Sequence, residues 1–218
     1  MRALAAEVIC GELARALGLP MPLAAILDFP AVLARAEPDE EIQELLRKSA
    51  GDNYGIDYLP GSSIYDPAAG LPVAAKLASR IVWFDALITN IDRTAKNTNL
   101  LVWHGHLWLI DHGAALYVHH TWDDPAAHAR TRFSAIAKHV LLPFASELEA
   151  ADRELRPQVT RSQLEAIVAM VPEDWLVTTP AFADAAAVRG AYVTYLLGRV
   201  AAADDFVKEA ADARAAAL

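Results

Sequence analysis

The chain has 218 residues, of which 55% are apolar and 22% charged, and a formal net charge of −9. That length can bury a substantial core in one large domain or two small ones, and the composition excludes a disordered tail. The acidic balance argues against a nucleic-acid or anionic-membrane surface as the main activity.

Residues 3–17 place apolar side chains at helical spacing (Val8, Ile9, Leu13, Leu17) and stop at Gly18 before Pro20, which predicts a helix with its usual terminal punctuation. Residues 22–29 are short, apolar and flanked by prolines, the pattern of an edge strand. A charged helix is predicted over 38–49, where Glu40, Glu41 and Glu44 precede Arg47 and Lys48 in the order that suits the helix dipole. Glycine and proline punctuate residues 51–71, giving a strand at Gly55–Leu59 and a linker at 60–71. A long helix is predicted from Pro72 to about Leu87, then a polar stretch from Thr89 to Asn97, then two strands. Helices follow at about 131–152, at 162–171 with Ser162 opening a capping box, and at 181–203. The alanine-rich tail after Phe206 reads as a frayed helix. The pattern is α+β, with a small mixed part over 1–60 and a larger, mostly helical part over 61–218.

A single cysteine, Cys10, excludes a disulfide framework and a cysteine-built zinc site. No apolar run approaches the roughly 20 residues of a membrane span without meeting a charge. Glu7 and Glu12 interrupt what would otherwise be the apolar stretch of a signal peptide. A soluble, cytoplasmic protein without membrane or nucleic-acid partners is therefore expected.

The strands Asn99–Trp103 and His106–Ile110 flank His104-Gly105, a strong hairpin signal because the tight turn needs positive φ at the glycine. Counting from that turn, Trp103 faces His106, Leu101 faces Trp108 and Asn99 faces Ile110, so Asp111 returns beside Asn97. For both to meet one ion, the chain must leave the regular ladder at Asn97 or Asp111, and Gly113 would make that departure cheap.

An acid (Asp92), an amide five residues on (Asn97), a hairpin and a second acid (Asp111) match what phosphoryl transfer needs: a base for the attacking hydroxyl and hard oxygens for Mg²⁺. Asp92 would be the base, Asn97 and Asp111 the metal ligands, and Lys96 would lie near the transferred phosphate. Taken singly, Asp92 and Asn97 could equally cap turns. Asp85, two helical turns before Asp92, could orient that loop or only hydrogen-bond to it, and Arg93 could meet a phosphate or a carboxylate. The histidine pairs His104/His106 and His119/His120 lack the spacing of a zinc helix.

Asn90-Ile91-Asp92 through Asn97, with Leu109-Ile110-Asp111-His112-Gly113, resembles the catalytic and metal-binding loops of HipA-like kinases, in particular the small actinobacterial group, and is similar to the corresponding signatures of phosphoinositide kinases. The likeness extends through residues 7–19, through Asp57-Tyr58-Leu59-Pro60-Gly61 and through Ile81-Val82-Trp83-Phe84-Asp85. It implies a protein-kinase-like fold, with an incomplete N-lobe over 1–60 and a mostly helical C-lobe, using ATP and Mg²⁺. It also implies a nucleotide and a hydroxyl-bearing acceptor, either a protein Ser/Thr or a small molecule, as partners. The backbone of Asp57, Tyr58 and Leu59 would bind adenine. Glu7, with Glu12 second, would be the helix glutamate that pairs with the nucleotide-binding lysine. Two departures stand out: Thr94 replaces the family's usual histidine, and the glycine-rich strands and their lysine are missing ahead of Glu7. The chain thus reads as beginning inside the N-lobe or as having lost those strands, which leaves Glu7 a partly orphaned acid. The alternatives are a catalytically inactive pseudokinase or interaction module, and a metal-dependent hydrolase using Asp92, Asp111 and His112.

Overall fold

The computed structural model describes residues 1–217. Its contacts divide the chain into two compact units, one formed by residues 1–21 with 61–218 and the other by residues 22–60. The contact division falls at 21/22 and 60/61, and the first helix groups with the larger unit.

In the larger unit, helix α1 (Arg2–Ala16) buries Ala5, Val8, Ile9 and Leu13. It closes as the sequence predicts. Gly18 takes φ +67°, and the Leu19 N–H reaches the Ala14 carbonyl at 2.9 Å, so a left-handed glycine satisfies the last carbonyls. Helix α3 (Ala75–Leu87) starts three residues later than predicted, after an extended Ala74. It is buried nearly all round from Ala78 to Leu87, the mark of a central helix. Around α3 pack α5 (Leu148–Leu155), α7 (Ala185–Ala201) and α8 (Ala203–Ala217), while α6 (Arg161–Ala169) lies against α1 and α7. The short α4 (Pro125–Ala129) lies on α7 so closely that a Cβ on Gly198 would come within 2.9 Å of Ala129 Cβ.

A three-stranded antiparallel sheet holds β3 (Ser63–Ile64), β4 (Leu100–Trp103) and β5 (His106–Leu109). The 60–71 linker therefore contains a strand, since Ser63 and Ile64 pair with Val102 and Leu101. The β4–β5 register is the predicted one, with Trp103 opposite His106 and Leu101 opposite Trp108. His104 (φ +50°) and Gly105 (φ +78°) both occupy the left-handed region, as a two-residue primed turn requires.

Three helical expectations change. The segment 131–152 is two 3₁₀ turns, Ser134–Lys138 and Leu142–Phe144, followed by α5; Pro143 and the left-handed Phe133 (φ +61°) break the helical pattern. Helix α6 is capped by Thr160, whose hydroxyl accepts from the Gln163 N–H at 3.3 Å, and not by Ser162. The tail after Phe206 is helical as expected, but its first turn is packed rather than frayed: Val207 and Ala210 are buried in α8, while none of residues 211–217 is. One further device secures the helical core. The buried Arg199 donates to the carbonyls of Ala86, Leu87, Ala129 and Thr131 and lies 4.7 Å over the Phe206 ring, satisfying orphan carbonyls at the ends of α3 and α4.

The smaller unit pairs β1 (Ala24–Phe29) antiparallel with β2 (Gly51–Ile56) and carries α2 (Glu40–Lys48). Strand β2 lies earlier than the predicted Gly55–Leu59. Asp39 caps α2 by accepting from the N–H groups of Glu41 and Ile42. No helix among the described residues is long and apolar enough to cross a membrane.

Candidate active site

The loop that follows α3 is organised around a buried acid. Asp85 sits in the last turn of α3 and has no exposed surface. Its Oδ2 accepts from Arg93 Nε at 2.6 Å and pairs with His139 Nε2 at 2.8 Å; its Oδ1 accepts from Asn90 Nδ2 at 3.1 Å. Burial alone would raise its pKa, but the Arg93 guanidinium and the His139 hydrogen bond outweigh burial and hold the carboxyl well below the ordinary range. The chain turns into this loop through Thr89 at φ +53°, a left-handed position uncommon for a β-branched residue, and the Asn90 N–H closes back on the Asp85 carbonyl at 2.9 Å.

Arg93 then ties this loop to the open end of the hairpin. Besides Asp85 it donates to the carbonyls of Asn99 and Ile110 and, through Nη2, to His112 Nε2 at 3.1 Å. Of the two partners open to Arg93, the structure shows the carboxylate: Arg93 and Asp85 form a buried salt bridge. Because Arg93 only donates, His112 Nε2 must be an acceptor, which places the proton of the neutral ring on Nδ1. Burial and the Arg93 charge push the His112 pKa down to about 3. The ring has no exposed surface, and its one acceptor nitrogen is engaged by Arg93.

On this base the polar tip is assembled. The Asp92 N–H donates to Asn90 Oδ1 at 3.1 Å. Asp92 Oδ2 accepts from Asn97 Nδ2 at 2.7 Å and from Asn99 Nδ2 at 3.3 Å, while Oδ1 takes no hydrogen bond among the described residues. Thr94 closes the loop: its N–H donates to the Asn97 carbonyl at 2.8 Å and its hydroxyl accepts from the Asn97 N–H at 3.3 Å. The departure from the family's histidine therefore has a local structural use. Lys96 is exposed on the same loop.

Asp111 is exposed and leaves the strand ladder at φ +53°, and Asn99 does so at φ +46°. The departure at Asp111 is one of the two expected, its counterpart falls at Asn99 and not at Asn97, and the importance of Gly113 is space. A Cβ there would lie 3.3 Å from Glu7 Oε1 and 3.5 Å from Asp111 Oδ1. Both Glu7 carboxylate oxygens accept the His112 N–H at 3.0 Å. Among the described residues no lysine or arginine pairs with Glu7, and a backbone donor from this loop stands in part where that cation would. Burial, with a contribution from the neighbouring Asp111 charge, raises the Glu7 pKa to about 7 against the opposing His112 N–H. Glu12 pairs with Arg15 at 3.5 Å.

The structure therefore joins Asp92 to Asn97 directly and sets Asp111 beside Glu7. In the smaller unit, the Asp57 N–H is committed to the Leu23 carbonyl at 2.7 Å, and Tyr58 is 80% exposed. A cavity of about 740 Å³ elsewhere, lined by Ala187, Gly190, Thr194 and Tyr195, contains none of the predicted site residues. Sequence reasoning missed Asn90, Asn99 and His139. The two asparagines lie within or beside the motif and could have been found as further amides. His139 lies 54 positions from its partner and carries no local signal.

A family model for HipA-like kinase matches residues 1–210, and the chain belongs to that family. No curated protein and no solved structure is significantly similar to it. Family membership makes this a kinase-type chain.

Proposed function

We propose that the chain is an ATP- and Mg²⁺-dependent phosphotransferase of protein-kinase-like fold that passes the γ-phosphate to the hydroxyl of a protein Ser/Thr or a small molecule in the cytoplasm. The observation that carries this reading is the orientation of Asp92. Two side-chain amides fix one of its oxygens, in a loop anchored by a buried ion pair, which leaves the other oxygen to accept a proton from a substrate hydroxyl.

The donor set suits a hard divalent ion. Because the Asn97 amide nitrogen is turned to Asp92, its Oδ1 is the atom left for a cation, and Asp111 offers an exposed carboxylate. Mg²⁺ takes such oxygens together with phosphates and water. No group of three His, Cys, Asp or Glu side chains among the described residues could hold a metal, so the rest of the shell would come from the nucleotide. Bound there, the ion would neutralise charge on the phosphates. Lys96, exposed near the same tip, steadies the transferred group. Adenine recognition falls to the backbone of Asp57, Tyr58 and Leu59, with the Asp57 N–H already engaged and its carbonyl left to accept.

The test is ADP formation from ATP with Mg²⁺. Replacing Asp92→Ala is expected to lower turnover about 10²–10⁴-fold, the usual worth of a positioned base. A variant rate within a few-fold of the unaltered chain would remove Asp92 from this role. ATP-dependent thermal stabilisation without ADP production would instead identify a nucleotide-binding module that does not turn over.

A further inference from the structure

We propose that Glu7 is the positioning residue of the Asp111-His112-Gly113 loop, gripping the His112 amide so that Asp111 keeps the turn that presents its carboxylate. This assignment rests on the phosphotransferase reading of the same site and differs from a role in nucleotide contact. Asp111 stands in the left-handed region, and so does Asn99 on the paired strand. A loop leaving a hairpin this way has no ladder partner for its amides and needs another acceptor. Glu7 supplies it across 105 positions of sequence, with both oxygens 3.0 Å from the His112 nitrogen.

The grip is rigid at both ends. Glu7 precedes Val8 and Ile9, which are buried in α1, so its backbone is fixed by the core. On the loop side, the His112 ring is locked by Arg93. Gly113 leaves the room the carboxylate needs, since any larger residue would bring a Cβ to 3.3 Å from Glu7 Oε1. With both oxygens turned to the His112 amide, Glu7 acts on Asp111 through the loop backbone as well as by direct contact of the two carboxyl groups.

The experiment compares Glu7→Ala with Glu7→Gln in the full chain, reading amide hydrogen exchange by NMR and the Mg²⁺ concentration that half-saturates ADP formation. In Glu7→Ala the His112 amide should exchange about tenfold faster or more, the scale of a lost hydrogen bond to a charged group, and half-saturating Mg²⁺ should rise about tenfold. Glu7→Gln keeps one acceptor and should recover most of the protection. If the alanine variant fails to fold, Glu7→Asp, one methylene shorter, takes its place. Should no form turn over ATP, the exchange result still decides the grip, and Mn²⁺ titration followed by electron paramagnetic resonance replaces the kinetic reading. Unchanged His112 exchange in Glu7→Ala would overturn the proposal. So would equal losses in both variants that track the urea midpoint, because that pattern marks a general packing role.

Discussion

Between Asp85 and Asn99 a single buried carboxylate gathers Arg93, His139 and Asn90, and the arginine spends its remaining donors on the hairpin carbonyls and His112. In residues 22–60 the contrast is plain. Helix α2 buries no residue, and Leu27, Leu33 and Leu45 are each more than half exposed. The first region is stiffened by charge-assisted hydrogen bonds in a low-dielectric interior. The second relies on one pair of strands, an arrangement that is marginal by itself. The comparison teaches where precision is kept: under Asp92, in a part of the chain whose polar groups are almost all answered.

The sharpest way to break this contrast is Arg93→Met, which keeps bulk and leaves Asp85 buried without its cation. A stability loss of about 3–5 kcal/mol is expected from urea unfolding. Core and surface leucines should then separate cleanly. Leu109→Ala, at a fully buried site, should cost about 2–5 kcal/mol, whereas Leu45→Ala in α2 should stay within about 0.5 kcal/mol. Equal costs would deny the difference between the two regions.

Acid sensitivity sharpens the picture further. Burial, aided by the charges of His120, Arg2 and the chain amino terminus, pushes the His119 pKa down to about 3, with the Tyr192 hydroxyl 3.0 Å from Nδ1. His139 is lowered as well, mainly by burial, although its bond to Asp85 opposes the shift. The unfolded chain therefore binds more protons below the ordinary value of 6.5, so the contribution of a neutral His119 is complete above that pH and is lost as the pH falls toward 3, with His139 acting in the same direction. His119→Gln should flatten the dependence of the urea midpoint on pH across that window. An unchanged slope would show that His119 does not stay neutral. The smallest effect is expected at the hairpin tip. His104→Asn should add a few tenths of a kcal/mol, since asparagine accepts the left-handed turn position more readily.

How much of this was legible in the sequence follows from distance along the chain. The β4–β5 register and the Gly18 helix stop rest on neighbours and turn chemistry and could be written down from local spacing, whereas the spacing assigns Asp92 and Asn97 to one site without the hydrogen bond that joins them. The network under Asp92 could not, because His139 reaches Asp85 across 54 positions and Glu7 reaches His112 across 105. No periodicity reports such meetings. Expectations also failed where the chain breaks locally: Pro143 and the left-handed Phe133 interrupt the stretch 131–152, which was expected to be helical. At Gly113 the glycine was noticed for conformational freedom, whereas its use is the space it leaves for a carboxylate arriving from α1.

The central claim is that chemistry resides at the half-buried Asp92 carboxylate and stability in the buried network beneath it. Asp92→Asn tests this most directly, with ATP turnover and the urea midpoint measured on the same preparation. Turnover should fall by at least about 10²-fold while the midpoint stays within the error of a surface substitution. A variant that keeps its turnover, or one that loses it only in step with unfolding, would contradict the account.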